Sequence, residues 1–199
     1  MTVREPRRDD TRTRILLGAQ ELFGRHGFDR TTVRQIAKRV NLTDAALYYH
    51  FKSKREILEA IWQLPVGGSP AQLRPDGRLT AERLREIVES LLDFASLNSD
   101  FLRLVNRETL AGDGTAKAIR YENRAYMRRV FHQHLLTIAD EAQAEIRTEA
   151  LVALILGSTL RLEIATGPRY AEASADPSYR ERLFRGAARV AGIDGAAAR

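Results

Sequence analysis

The chain has 199 residues, of which 44% are hydrophobic and 29% are charged, and it contains no cysteine. This composition predicts a folded globular protein, and the lack of cysteine excludes disulfides, thiolate metal sites and cysteine nucleophiles. The polar first residues do not resemble a signal peptide. The longest unbroken apolar run, residues 150–156, is far shorter than the roughly 20 residues of a membrane span. We therefore expect a cytoplasmic protein without a membrane partner.

The net charge of +6 is concentrated in the first third of the chain. Residues 1–64 contain 13 Lys and Arg against 8 Asp and Glu, a net charge of +5. Residues 65–199 contain 19 against 18, a net charge of +1. Such an asymmetry predicts that the N-terminal part binds a polyanion.

Residues 1–10 are predicted to form a disordered arm. Its three arginines, Arg4, Arg7 and Arg8, could follow DNA phosphates or enter the minor groove. The arm could equally be a solvated tail, since three acidic residues balance the arginines. From residue 11 to residue 26, apolar residues at helical spacing predict a first helix, and Gly27 follows as a suitable C-cap.

Residues 31–58 predict two short helices, a tight turn and the start of a third helix. Thr32 and Thr43 are candidate N-caps of the first two, and Asn41 interrupts the apolar pattern between them. Ser53 and Glu56 have capping-box spacing at the start of the third. Two short helices joined by a tight turn form a helix-turn-helix, whose second helix can enter the DNA major groove.

The remainder of the chain also predicts helices. A segment rich in proline and glycine, residues 65–77, ends the preceding helix and marks a domain boundary. Further helices are predicted at about residues 80–98, 100–111, 115–139, 142–166 and 177–192, and no alternating strand pattern occurs. The fold class is therefore all-α. The expected parts are an arm (1–10), a helix-turn-helix domain with a connecting helix (11–64), a linker (65–79) and a C-terminal domain (80–199).

The motif resembles the DNA-binding domain of TetR-type (tetracycline-repressor-like) bacterial regulators. The resemblance lies in T-T-V-R-x-I-A at residues 31–37 and L-Y-x-H-F-x-x-K-x-x-I at residues 47–57. It implies a three-helix DNA-binding domain, linked by a fourth helix to a C-terminal helical domain for ligand binding and dimerisation. The leading hypothesis is a repressor that a small, largely apolar effector releases from DNA. Because a two-fold dimer presents two reading helices, we expect a pseudo-palindromic operator.

Within the motif, small alanines allow close approach to the groove, and the cap of the second helix presents amides to phosphate. The resemblance assigns Tyr48 to phosphate, Tyr49 to a base or phosphate, and His50 and Lys54 to the DNA backbone. Tyr48 could instead be a packing residue, and His50 a histidine satisfied at the helix end. Asp44 departs from the family's usual basic residue and could accept a hydrogen bond from cytosine. The predicted DNA-contacting residues are Thr32, Thr43, Asp44, Ala45, Ala46, Tyr48, Tyr49, His50, Lys52 and Lys54.

The long helix predicted at residues 115–139 has Asn123 and His134 on its apolar face. Inward polar groups require hydrogen bonds, which a ligand or neighbouring helices could supply. His132 and His134 are two residues apart and face different ways, so they do not form a helical metal pair, and no cofactor or metal is expected. The candidate ligand-binding residues are Phe94, Phe101, Arg103, Leu104, Asn123, Tyr126, Met127, Val130 and His134.

The last two predicted helices suggest a homodimer. Residues 150–156 are apolar on all sides of the predicted helix, which predicts that other helices pack against it on two sides. The final helix has an apolar face with several small residues, and two such helices from each subunit would form a four-helix bundle. The residues of that face are Leu183, Phe184, Ala187, Ala188 and Ala191.

Two other functions remain open from the sequence. The protein could regulate transcription without an effector, or activate rather than repress. An enzyme using His134 is the weaker alternative, because the chain has no phosphate-binding loop, nucleophile elbow or metal-binding spacing. We therefore expect a DNA-binding regulator that is not an enzyme.

Overall fold

The computed structural model describes residues 8–64 and 77–193, and all regular structure in these ranges is helical. The predicted all-α fold is confirmed. A 3-10 turn, Gly167–Arg169, precedes α9. The helices are α1 (Arg8–His26), α2 (Val33–Arg39), α3 (Asp44–His50), α4 (Lys54–Trp62), α5 (Ala81–Leu97), α6 (Ser99–Ala111), α7 (Gly114–Leu135), α8 (Glu141–Thr166), α9 (Tyr170–Ala175) and α10 (Pro177–Ala191).

The described residues form two compact units that differ from the predicted domains. The first unit contains residues 8–64 and 100–118, and the second contains residues 77–99 and 119–193. Helix α6 therefore belongs to the unit that carries the helix-turn-helix, although the sequence predicted one domain from residue 80 onward. Within residues 77–193, the chain passes between the units after residues 99 and 118.

The N-terminal arm was predicted to be longer than the structure allows. Residues 8–10 form the first turn of α1 rather than disordered chain. Residues 1–7, with Arg4 and Arg7, lie outside the described residues, as do residues 65–76 of the predicted linker and residues 194–199.

Side-chain caps fix the starts of the three short helices in the first unit. The Thr32 hydroxyl accepts the Gln35 amide at 3.2 Å, and the Gln35 side chain accepts the Thr32 amide at 2.7 Å. Thr43 accepts the amide of Ala46 at 3.1 Å, and Ser53 that of Glu56 at 3.1 Å. All three predicted N-caps are confirmed, and each satisfies an amide that the helix itself leaves unpaired.

The turn between α2 and α3 depends on a left-handed residue. Asn41 has φ +56°, a conformation in which asparagine costs less than most residues. The next amide, from Leu42, donates to the Ala37 carbonyl at 2.9 Å. The chain therefore reverses directly after α2 and starts α3 within a few residues.

Helices α1, α2 and α4 surround the core of the first unit, and α3 packs on α2. The close approach of α1 to α2 requires glycine at position 18, because a Cβ there would lie 2.6 Å from Val40 Cγ1. The large buried apolar side chains of these four helices are Ile15, Phe23, Ile36, Leu47, Phe51, Ile57, Leu58 and Ile61.

The second unit has its own core, formed by α5, α7, α8 and α10. The apolar face of α10 is part of it: Leu183 is 5% exposed, Phe184 2%, and Ala187 is fully buried. The prediction that this face forms a dimer interface is therefore wrong, because its side chains already pack against α5 and α8.

Two further details of the second unit were not predicted. Helix α7 ends at Leu135 rather than at residue 139. Just beyond this end, the Thr137 hydroxyl donates to the His134 carbonyl and accepts the Leu79 amide. The short helix α9 was missed. Its six residues are too few to show a helical apolar period.

We expect Asn41→Ala to lower the free energy of unfolding by about 1 kcal/mol, because alanine is strained at positive φ. Asn41→Gly should leave it nearly unchanged, because glycine adopts this conformation without strain. Chemical denaturation of the two variants tests this. Equal destabilisation by alanine and glycine would show that the asparagine side chain, rather than backbone strain, determines the turn.

Candidate nucleic-acid interface

The outer face of α3 is exposed, and its inner face is tightly packed. Leu47 is fully buried and Phe51, directly after the helix, is 1% exposed, so both face inward. The opposite side presents Tyr48, 51% exposed, and Tyr49, 69% exposed. The exposed side of α3 therefore carries two large aromatic side chains.

The rest of the predicted contact set surrounds these tyrosines. Asp44 and Ala45 are exposed in the first turn of α3, and Ala46 and His50 are half-buried. The His50 ring meets the Tyr49 ring edge-on at 5.4 Å. Thr32 and Thr43 are exposed at the N-termini of α2 and α3. The structure therefore brings these predicted residues together on one helix-turn-helix.

Two arginines from α1 hold the helix-turn-helix, and neither was predicted from the sequence. Arg12 donates to the His50 carbonyl at 3.0 Å, and its guanidinium lies 4.0 Å from the centre of the Phe51 ring. Arg14 donates to the Val40 carbonyl at 2.7 Å. Both bonds satisfy carbonyls at helix C-termini, where positive charge is also favourable. Local sequence contains no signal for them, since the partners are 38 and 26 residues away.

Lys54 has a different environment from the one predicted. Its ammonium donates to the Phe28 carbonyl at 2.6 Å and the Thr31 carbonyl at 2.9 Å, with the Asp29 carbonyl at 3.4 Å. It also lies 4.2 Å from the centre of the Phe28 ring. An ammonium has three donors, and here they point to the α1–α2 loop. Contact of Lys54 with DNA phosphate stays a prediction. A phosphate would have to compete with the loop carbonyls for the Lys54 ammonium.

Other cations on the helix-turn-helix face solvent. Lys52 is exposed directly before α4, and Arg34 and Lys38 are exposed on α2. Arg39 instead forms an ion pair with Glu21, at 2.6 Å. Lys52, Arg34 and Lys38 are therefore the cations of this motif best placed for phosphate, and the sequence had singled out only Lys52.

The candidate ligand residues divide between the two units. Phe101, Arg103 and Leu104 belong to the first unit, where Phe101 meets Trp62 edge-on at 6.0 Å and Arg103 pairs with Asp100 at 3.0 Å. The other six belong to the second unit: Phe94, Asn123, Tyr126, Met127, Val130 and His134.

Of these six, His134 and Tyr126 are the most informative. His134 is 1% exposed, and its Nδ1 lies 2.8 Å from the Val130 carbonyl of the same helix. Since a carbonyl can only accept, Nδ1 carries the hydrogen, and this ring nitrogen is satisfied without a ligand. Burial raises the pKa of the Tyr126 hydroxyl, and nearby Arg129 opposes the rise. Asn123 is half-buried.

Among the described residues, no group of three or more His, Cys, Asp and Glu side chains is arranged to hold a metal ion. None of the helices in residues 8–64 and 77–193 is both long and apolar enough to cross a bilayer.

Comparison with known proteins gives matches at the level of sequence family and fold. Residues 15–61 match the family model described as "Bacterial regulatory proteins, tetR family". The HTH-type transcriptional activator FasR of Mycolicibacterium smegmatis is 34% identical over 101 residues, which are 49% of this chain and 46% of FasR. The negative transcriptional regulator IcaR of Staphylococcus aureus is 50% identical over 46 residues, 23% of this chain and 25% of IcaR. The chain thus spans less than half the length of these curated relatives.

The fold likeness extends further than the sequence likeness. A TetR-like transcriptional regulator from Rhodococcus sp. RHA1 superposes with a TM-score of 0.67 over 94% of this chain and 98% of its own, at 21% identity. Residues 15–61 are therefore similar to the DNA-binding domain of TetR-type regulators, and the described chain shares the fold of a TetR-like regulator.

Proposed function

We propose that the protein represses transcription by binding a pseudo-palindromic DNA operator as a homodimer, and that a small, largely apolar effector releases it. The observation that supports DNA binding best is the exposed tyrosine face of α3, backed by a fully packed inner face. A helix presented in this way can enter the major groove with its side chains already ordered. The cationic residues around it supply attraction to phosphate.

Repression is the simpler of two regulatory outcomes, since a bound dimer can exclude the polymerase by occupancy alone. Activation, or regulation without an effector, is the alternative. The names of the relatives favour neither, because FasR is called an activator and IcaR a negative regulator. DNA binding through α3 is common to both outcomes.

For the homodimer, we propose that the apolar contact lies on α8. An exposed stripe follows one face of this helix, including Ile146 at 71% exposure, Leu160 at 38% and Ile164 at 78%. Ala150, Ala153 and Gly157 lie between them and are also exposed. The spacing is that of one helical face, and small residues in its middle allow a second helix to approach closely. A two-fold dimer would present two copies of α3 to two half-sites.

For the effector, we propose a site in the second unit near Asn123 and Tyr126, two half-buried polar residues on α7. Phe94 is also half-buried, and Met127 and Val130 belong to the adjacent apolar core. Such a mixture suits a ligand that is mostly apolar with one polar end. An effector releases DNA only if it binds the DNA-free conformation more tightly.

The function is tested by an electrophoretic shift assay with DNA from upstream of the protein's own gene. We expect a retarded complex that weakens steeply with salt and resists competition by unrelated DNA. If neither this DNA nor any other is bound with sequence preference, the proposal is wrong.

We expect Lys52→Ala to weaken binding to all DNA and to reduce the slope of log K against log salt by about one, without changing stability. Lys54→Met should instead lower the melting temperature, because three loop carbonyls lose their donor. Its salt slope should be unchanged. Salt titrations and thermal melts of both variants separate the two roles, and a reduced slope for Lys54→Met would restore that lysine as a phosphate contact.

The two tyrosines of α3 are expected to differ in role. Tyr49→Ala should change which bases are enriched when DNA is selected from a random pool, because Tyr49 is proposed to contact bases. Tyr48→Ala should weaken all sequences alike, as expected for a phosphate contact. Uniform weakening by both variants would show that Tyr49 contributes only to backbone binding.

We expect Leu160→Arg to convert the dimer into a monomer, because it would place a charge in each half of the α8 interface. The matched control is Leu110→Arg, at an 85% exposed position on α6. Sedimentation velocity measures the masses, and the monomer should also lose operator affinity because it can occupy only one half-site. A dimeric Leu160→Arg protein would contradict the proposed interface.

A further inference from the structure

A buried carboxylate outside the helix-turn-helix contacts the loop that leads into it. Glu108, on α6, is 7% exposed, and its Oε1 accepts the Phe28 amide at 3.4 Å. Burial raises the pKa of Glu108, and the bond from the Phe28 amide opposes the rise. Burying a carboxylate is unfavourable unless a specific partner compensates for the lost water. The amide of the α1–α2 loop is one such partner.

Helix α6 passes close to the end of α1 at a few positions. A Cβ at Gly24 would lie 2.8 Å from the Asp100 carbonyl, and one at Gly27 would lie 3.5 Å from the Arg107 guanidinium. The bond from the Phe28 amide to Glu108 is a further contact between these segments. Because the atom nearest to Gly24 is a backbone carbonyl oxygen, a residue with a Cβ at position 24 would require α1 or α6 to shift.

The α1–α2 loop is bound from two sides. Lys54, on α4, binds the carbonyls of Phe28 and Thr31, while Glu108 binds the amide of Phe28. Within the loop, the Thr31 hydroxyl donates to the Gly27 carbonyl at 2.9 Å, and Thr31 is 1% exposed. Thr32, the N-cap of α2, follows directly. A displacement of the loop therefore moves the first residue of the helix-turn-helix.

From these contacts we propose that Glu108 is a positioning residue for DNA binding: it fixes the α1–α2 loop, and hence α2 and α3, relative to α6. This inference deepens the function proposed above and rests on it. It assigns a role in DNA affinity to a residue more than 50 positions beyond the recognition helix. The role depends on the reach of an acceptor oxygen to the Phe28 amide rather than on negative charge.

Two variants distinguish the length of the Glu108 side chain from its charge. Glu108→Gln keeps the acceptor oxygen in place but removes the charge. Glu108→Asp keeps the charge, but its side chain is one methylene shorter. The charged groups around this position are Asp29 in the loop, Arg55 on α4 and Asp113 before α7. If charge determines the role, Glu108→Asp should lower DNA affinity less than Glu108→Gln does. If side-chain length determines it, Glu108→Gln should lower DNA affinity less.

The experiment measures the affinity of each full-length variant for a duplex that the wild type enriches from a random pool, by fluorescence anisotropy. We expect Glu108→Gln to bind within about twofold of wild type and Glu108→Asp to bind about tenfold more weakly, as for loss of one hydrogen bond to a charged group. The control Glu122→Asp, at an exposed position on α7, should bind as wild type does. Equal affinity of Glu108→Asp and wild type, or weaker binding by Glu108→Gln than by Glu108→Asp, would overturn the proposal.

Amide hydrogen exchange of the free proteins gives a second readout that needs no DNA. The Phe28 amide should exchange about tenfold faster in Glu108→Asp than in wild type, and at the wild-type rate in Glu108→Gln. Unchanged exchange in Glu108→Asp would overturn the proposal even if DNA affinity fell. If the wild type enriches no DNA, the proposed function fails, while the exchange data still decide whether Glu108 fixes the loop.

Discussion

A recognition helix of seven residues cannot keep its shape alone in water, because helix nucleation is costly and a short helix recovers little of that cost. The geometry of α3 therefore depends on what surrounds it. Thr43 caps its start, Leu47 and Phe51 are buried beneath it, and Arg12 binds the carbonyl of its last residue. These contacts leave the tyrosine face outward and ordered. In the proposed complex with DNA, nearby cations would add electrostatic attraction, and the packed inner face would determine which side chains reach the groove.

The division into two units changes how an effector could act on DNA binding. Residues 100–118, which hold most of α6 and the start of α7, are part of the unit that contains the helix-turn-helix, and both ends of this segment continue into the second unit. In the proposed mechanism, a conformational change in the second unit would reach α6 through the chain itself, at residues 99–100 and 118–119. From α6, the contacts at Gly24 and Phe28 lead to the end of α1 and the α1–α2 loop. Coupling of this kind requires that the effector favour one of two positions of α6.

The features predicted correctly from the sequence are those with local causes. The caps Thr32, Thr43 and Ser53 each bind an amide three residues away, and the inward residues of α3 follow helical spacing. The errors have long-range causes. The apolar face of α10 looked suitable for a second subunit, but the chain's own core covers it. Two other features could not be seen in the sequence. The loop carbonyls that Lys54 binds are 23 to 26 residues away, and spacing along a sequence does not show that α6 joins the unit of the helix-turn-helix.

Selection of DNA from a random pool by the full-length protein tests the central claim most directly, since it assumes neither an operator nor an effector. We expect an inverted repeat whose half-site centres are one DNA turn apart, about 10 base pairs, or a multiple of that, as for a two-fold dimer reading successive major grooves. Enrichment of no sequence, or of a single unrepeated half-site, would contradict the proposal that two copies of α3 read the DNA together.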